Sequence, residues 1–206
     1  MGLDTTPARA IRRLARDIDG FEADGVAPDG TRLKRARLHT YGELTPTGVS
    51  QLIAATGLSA ADRFVDLGSG VGKVVVQVAM QVPGARCTGI ELDSERHAGA
   101  RRLLKAALAE GFVAKRQVTL RHASMLEAKL DGATVLFANS TCFPAPLLAQ
   151  LAERVASLGG PLMFVSLQPL ARKQARLFAP PRTRRCATSW DRANEMHIYR
   201  RAGVAT

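Results

Sequence analysis

The sequence predicts an α/β fold built on a mostly parallel sheet, and three observations carry that prediction. Phe64-Val65 reads as the end of a buried strand with Asp66 at its carboxyl end. Glycines follow at 68, 70 and 72, and Val74 to Ala79 continues as a buried helix. A strand that turns through glycine into a helix lets the backbone approach a ligand closely. Further apolar runs near 85–90, 118–121, 133–138 and 161–166 alternate with helical patterns. The run 133–138 is apolar throughout, as a central parallel strand should be. Last, residues 185–190 and 196–199 alternate apolar and polar positions, which reads as a terminal antiparallel hairpin. Five α/β units and a hairpin make seven strands.

The elements follow in order. Residues 7–19 carry Ala8, Ile11, Leu14, Ala15 and Ile18 at helical spacing, with Arg9, Arg12, Arg13 and Arg16 opposite. Residues 20–39 read as a linker punctuated by Gly20, Gly25, Pro28 and Gly30 and ending in the basic run Arg32, Lys34, Arg35 and Arg37. Thr45 is placed to cap a helix with Pro46 at its first position, and Val49, Leu52, Ile53 and Thr56 form its apolar face. The first strand is expected at 62–66, its helix at 71–81 and the second strand at 85–91. Ser94 is expected to cap a helix to about 110, apolar at Ala98, Leu103, Leu104, Ala107 and Leu108. A helix starting at Pro144 or Pro146 should run to about 157. This divides the chain into a basic N-terminal helix and linker, 1–39, and one domain, 40–206.

At 206 residues and 46% hydrophobic content, the chain is long and apolar enough for one globular α/β domain with a sizeable core. A net charge of +11 favours an acidic partner, such as nucleic acid, or a protein associated with it. Three widely spaced cysteines, Cys87, Cys142 and Cys186, offer neither a metal pair nor a disulfide framework. No metal is expected. A reducing compartment and a cytoplasmic location are the simpler expectation. No run approaches a membrane span.

The spacing of the glycines narrows the ligand. A dinucleotide fingerprint would put its third glycine at position 73, where this chain has Lys73. The G-x-G-x-G order after Asp66 resembles motif I of the class I, seven-strand methyltransferases, a Rossmann-like group that binds S-adenosylmethionine. Glu91, ending the second strand, is placed to accept both ribose hydroxyls of an adenosine. A hydrogen bond to a charged partner is worth about 1.5–3 kcal/mol, so such a carboxylate is a real anchor.

Four blocks extend the resemblance. Tyr41-Gly42-Glu43, the stretch Phe64 to Val78, Leu136-Phe137-Ala138-Asn139 with Phe143, and Thr188-Ser189-Trp190 followed by a strand with His197 stand in series. Together they resemble the catalytic core of the disruptor-of-telomeric-silencing family, the non-SET histone lysine methyltransferases. The resemblance implies that Glu43, Asp66, Gly68, Ser69, Gly70, Gly72 and Glu91 hold S-adenosylmethionine and its product S-adenosylhomocysteine. It also implies that Ser124 and Met125 flank the adenine. Asn139 would face both the methyl donor and the incoming amine, with Tyr41, Phe143 and Trp190 walling a lysine channel. The implied reaction is protein lysine N-methylation of a basic or nucleic-acid-associated protein, with a basic surface that admits contact with nucleic acid. The alternative is a nucleic-acid base N-methyltransferase. Against it, base-amine enzymes carry [DN]-P-P-[FYW] where this chain has Asn-Ser-Thr-Cys.

The chain departs from the family pattern at four places. Lys73 stands where the family has glutamine. Ala123-Ser124 replaces the acid that meets the adenine amine, Ser140-Thr141 replaces Asn-Phe, and the tyrosine of the last strand has no clear equivalent.

Overall fold

A glycine turn, two buried acids and one reversal of strand order set the architecture. The computed structural model describes residues 6–18, 20, 25–32, 42–160 and 162–201. Tyr41 and the basic positions Lys34, Arg35 and Arg37 lie outside them. Helices α1 (Pro7–Leu14) and α2 (Pro46–Thr56) precede β1 (Arg63–Leu67), α3 (Lys73–Gln81), β2 (Arg86–Glu91), α4 (Ser94–Ala109) and β3 (Val118–His122). After β4 (Val135–Ala138) and a short 3-10 turn at Ser140–Cys142 come α5 (Ala145–Ser157), β5 (Met163–Ser166), α6 (Arg172–Ala175), β6 (Arg182–Cys186) and β7 (Asn194–Arg200).

The strands form one seven-stranded sheet in the order β3-β2-β1-β4-β5-β7-β6. The first five are parallel, and β7 runs antiparallel to both β5 and β6. From β1 the chain steps outward to β2 and β3, then returns to β4 on the other side. That reversal opens a crevice beyond the carboxyl ends of β1 and β4, where doubly wound sheets receive their ligands.

Successive residues of a strand face opposite sides of the sheet, so each strand feeds two cores. Phe64, Phe137, Val165 and Ile198 meet α1, α2, α3 and α4 through Ile11, Leu52, Val75 and Leu103. Val65, Leu136, Phe164 and Tyr199 meet α5 through Leu148, Leu151 and Val155. Tyr199 of β7 is a core residue: it is 1% exposed, and its hydroxyl accepts from the Leu170 N–H at 2.8 Å.

Helix α2 forms as expected, with the Thr45 hydroxyl accepting from Gly48 N and Gly57 closing the helix at φ 69°. Helix α4 departs from expectation. Its cap is Asp93, whose carboxylate accepts from Glu95 N and Arg96 N, and Ser94 is the first helical residue. Its buried stripe is Arg96, Gly99, Ala100, Leu103 and Ala107, whereas Ala98 and Leu108 face solvent. This inward face approaches its neighbours closely. A Cβ on Gly99 would lie 3.2 Å from Ile18 and Val71, and one on Gly72 would lie 3.0 Å from the Ala100 Cβ. Small residues therefore face inward. In α1 the buried alanine is Ala10 rather than Ala8.

The described residues of the N-terminal region pack onto the sheet's helical layer. Ile11, Ala15 and Ile18 join the core over α3 and α4. Gly25 N donates to the Asp93 carboxylate, Val26 N to the Ser94 hydroxyl, and Arg96 Nε to the Gly20 carbonyl. The expected division at residue 39 lies outside the described residues. The terminal hairpin forms with shifted bounds, because Thr188 and Asp191 make a turn: Thr188 N donates to Asp191 O and Asp191 N to the Thr188 hydroxyl.

Asp93 both caps α4 and holds the N-terminal segment. Asp93→Ala should therefore lower stability by about 1–2 kcal/mol, the upper range for a lost cap. Ser94→Ala should cost less, and urea unfolding of the two variants gives the comparison.

Candidate functional site

The crevice between β1 and β4 gathers most of the described residues that the sequence singles out. Gly68, Gly70 and Gly72 all adopt positive φ, at 81°, 53° and 80°. These left-handed angles are open to glycine at no steric cost, which is why the loop carries glycine at these three places. A Cβ on Gly68 would lie 3.4 Å from both Met125 Cε and Phe143 Cζ. Glycine there leaves space between the loop and the two side chains.

Two carboxylates stand at the ends of neighbouring strands. Asp66 is 2% exposed and Glu91 is 7% exposed. Glu91 Oε2 accepts from Gly70 N at 2.7 Å and Oε1 from Asp93 N at 2.9 Å. One side chain thus joins the glycine loop to the start of α4. Burial pushes the Glu91 carboxyl above its ordinary range, against those two N–H donors. Burial pushes Asp66 up to about 8, with the charge of Glu91 adding to the shift. Buried acids of this kind respond to a cationic ligand, which restores their ionised form. The Ser69 hydroxyl is buried with no hydrogen-bond partner among the described residues, and it lies against Gly89 of β2.

Asn139 follows the end of β4 and faces a second loop. Its Nδ2 donates a short hydrogen bond to the Gly42 carbonyl. A carbonyl can only accept, so the amide nitrogen is fixed on Gly42 and Oδ1 points the other way, where Thr141 Oγ1 donates to it at 3.3 Å. An amide oxygen carries two lone pairs, so a further donor can be accepted there. Trp190 is 44% exposed, and its ring lies over Gly42: a Cβ there would meet Trp190 Cζ3 at 2.0 Å. Phe143 is half-buried beside Gly68. Ser124 lies just past β3, with its hydroxyl accepting from Leu126 N at 3.2 Å. Glu43, expected to hold the cofactor, gives Oε2 to Lys73 Nζ at 2.7 Å. Tyr41 lies outside the described residues.

Gln168 is a site residue that the sequence reading missed. Its Nε2 donates to the carbonyls of Ser140 and Thr141, at 2.5 and 2.6 Å, and its backbone N donates to the Ser140 hydroxyl at 2.9 Å. Ser140 and Ser166, both fully buried, join hydroxyls at 2.7 Å. The 3-10 turn that carries Asn139 is thereby tied to the end of β5. The available signal was position, two residues past a strand at the carboxyl edge of the sheet.

Asp66 makes stability depend on pH. Its folded pKa of about 8 lies above the ordinary 3.8, so between those values the native state keeps a proton that the unfolded chain has lost. The stabilising contribution is full below about pH 4 and declines as pH rises through about 8. Glu91, raised from its own ordinary value, acts in the same direction. Unfolding in urea at pH 5 and at pH 8 should therefore show a smaller loss of stability for Asp66→Asn than for the wild type. An equal loss would mean that Asp66 is ionised throughout.

The arrangement fits S-adenosylmethionine: acids end adjacent strands, a glycine loop leaves a cradle that a Cβ would narrow, and a buried hydroxyl has no partner among the described residues. Comparison with known proteins points the same way. The solved structure of an RNA methyltransferase from Salinibacter ruber in complex with S-adenosyl-L-homocysteine superposes with a TM-score of 0.60 at 24% identity, over 77% of this chain and 92% of that one. Magnesium protoporphyrin IX methyltransferase from Synechocystis, with bound S-adenosylmethionine, gives 0.60 at 16% identity, over 97% and 93%. These likenesses show the Rossmann-like methyltransferase fold. The histone-lysine N-methyltransferase, H3 lysine-79 specific, of Emericella nidulans is 36% identical over 93 residues, 44% of this chain and 18% of that protein. The protein of the same description from Cryptococcus neoformans var. neoformans is 31% identical over 146 residues, 66% of this chain and 22% of its own length. The chain thus spans about a fifth of the length of these relatives. A family model, described as histone methylation protein DOT1, matches residues 26–182. With the glycine loop, both acids, Asn139 and Trp190 inside or beside that span, the chain belongs to the DOT1 family.

Proposed function

We propose that this chain is an S-adenosylmethionine-dependent protein lysine N-methyltransferase whose substrate is a basic or nucleic-acid-associated protein. The observation that carries the reading is Asn139, fixed through Nδ2 on the Gly42 carbonyl so that its amide oxygen is the atom presented. An oxygen in that role accepts from an attacking amine and aims the nitrogen lone pair. Under this reading Asp66, Gly68, Ser69, Gly70, Gly72 and Glu91 hold the cofactor, with Glu43 beside them and Ser124 and Met125 flanking the adenine. Bound there, S-adenosylmethionine supplies a methyl group on a positive sulfur, the leaving group of an in-line displacement.

The residues of the chain position the partners. Glu91 draws Gly70 N–H inward and so fixes the curvature of the loop. Phe143 and Trp190 offer apolar walls for the four-carbon stem of a lysine, which travels well along apolar surface. Gln168 and Ser140 hold the turn that sets the direction of Asn139. The acceptor must arrive as the neutral amine. A lysine of pKa about 10.4 costs about 4 kcal/mol to deprotonate near pH 7.5, so an apolar channel that disfavours the charged form helps.

The partner class rests on charge and on the relatives. The relatives are histone-lysine methyltransferases by description, and the net charge of +11 supports an acidic or nucleic-acid-bound setting. The reducing, cytoplasmic location expected from the widely spaced cysteines is kept as part of this proposal. Among the described residues no helix is long and apolar enough to cross a membrane.

Transfer of labelled methyl groups into a cell lysate tests the reading. Label that survives nuclease and is lost to protease supports it, and mass spectrometry then names the lysine. Label lost only to nuclease replaces it with nucleic-acid base methylation. Asn139→Ala should cut kcat by about 10–100-fold through misplacement of the acceptor. Cofactor affinity, read by calorimetry with S-adenosylhomocysteine, should stay within about twofold. Equal loss in both would make Asn139 a cofactor ligand.

A further inference from the structure

We propose that Lys73 is a positioning residue: its ion pair with Glu43 latches residues 42–45 over the crevice, and through them sets Asn139 and Trp190. The inference rests on the roles given to Asn139 and Trp190 above.

The position of Lys73 is the first clue. It is the first residue of α3, directly after the left-handed Gly72. The amino end of a helix carries partial positive charge, so a cation is unfavourable there without a partner. The resemblance places an uncharged glutamine at this position. Here the ammonium reaches Glu43 Oε2 at 2.7 Å, with side chains only 27% and 18% exposed. A pair shielded to that degree is screened less by salt than a surface pair.

The second clue is what Glu43 is attached to. Residues 42–45 run beside 187–189. Ser189 N donates to Glu43 O at 2.8 Å, Glu43 N donates to the Ser189 hydroxyl at 3.2 Å, and Thr45 N donates to Ala187 O at 3.0 Å. Leu44 and Thr188 form an isolated antiparallel bridge. This short ladder carries the two contacts that matter at the site. The Gly42 carbonyl takes Asn139 Nδ2, and the Gly42 backbone lies under Trp190. Lys73 is the charged tie between this ladder and the helix that follows the glycine loop. The ion pair ties the Glu43 end of this ladder to α3, while Gln77 Nε2 of the same helix holds the following Pro46 carbonyl at 2.7 Å.

Trp190 makes the latch measurable, because it is the only tryptophan in the chain. Acrylamide quenching of its fluorescence reads the Gly42–Trp190 contact with no methyl transfer required. Lys73→Met should raise quenching about twofold, as expected for local opening without global unfolding, and should speed hydrogen exchange over 42–45. Lys73→Arg should restore both. Because the two residues act as one unit, Glu43→Gln, Lys73→Met and the double variant should give the same quenching rather than the sum. In turnover assays Lys73→Met should lower kcat by about tenfold, the size expected for a small misplacement, with a smaller change in KM for the cofactor. Quenching and exchange equal to wild type in a folded Lys73→Met protein would overturn the latch. So would additive effects in the double variant. Failure of the wild type to methylate protein would instead overturn the proposed activity, and the fluorescence arm would still decide the latch.

Discussion

The Glu91 carboxylate is the interaction on which the rest of the site depends. It is buried at the end of β2 and holds two backbone N–H groups, one from the glycine loop and one from the start of α4. Burying a carboxylate costs several kcal/mol unless its charge is met by hydrogen bonds. Each of these two bonds therefore constrains the chain strongly. Gly70 must turn its N–H inward, which its positive φ permits. Asp93 must present its own N–H to Glu91 while its side chain caps α4. The N-terminal segment is then secured on the same Asp93 through Gly25. A single buried acid thus coordinates β1, β2, α4 and a segment more than sixty positions earlier in the chain.

A second organising feature lies across the crevice. The turn after β4 is held from below by Gln168 and the paired hydroxyls of Ser140 and Ser166. It is held from the side by Gly42. Polar groups buried in such a network are costly if left unmatched, so a network satisfied at each joint has one geometry. That uniqueness suits the aiming role proposed for Asn139. One side of the crevice rests on glycines and carboxylates, and the other rests on an amide in a polar clamp. The segment 42–45 spans the two.

The family resemblance and the departures from it come together at these clamps. Serine at 140 is small enough to sit fully buried against Ser166, and its hydroxyl takes the Gln168 N–H. Lysine at 73 replaces an uncharged residue and brings Glu43 into an ion pair. Tyr199 occupies the last strand but serves the core beside Phe164 and Phe178, with ring centroids 6.3 and 5.6 Å away. Substitutions that look like losses of site chemistry in the sequence thus act in the structure as changes of support.

The sequence by itself determined the local and periodic features. Apolar runs of strand length, a glycine turn after an acid, the Thr45-Pro46 helix start and the two acids 25 positions apart are all short-range patterns, and all formed, with strand ends moved by a residue or two. Short-range physics suffices there: glycine is demanded by backbone angle, and strand burial follows from a period of two. Tertiary structure alone decided which of several adjacent residues faced inward on α4, where Gly99 and Ala100 pack close to Val71 and Gly72 and Ala98 faces solvent. It also decided that α1 joins the domain core and that Gln168 reaches Asn139's turn. It paired Lys73 with Glu43 as well. Each of these depends on a partner 20 to 100 positions away, and no local pattern encodes a distance that only the folded sheet creates.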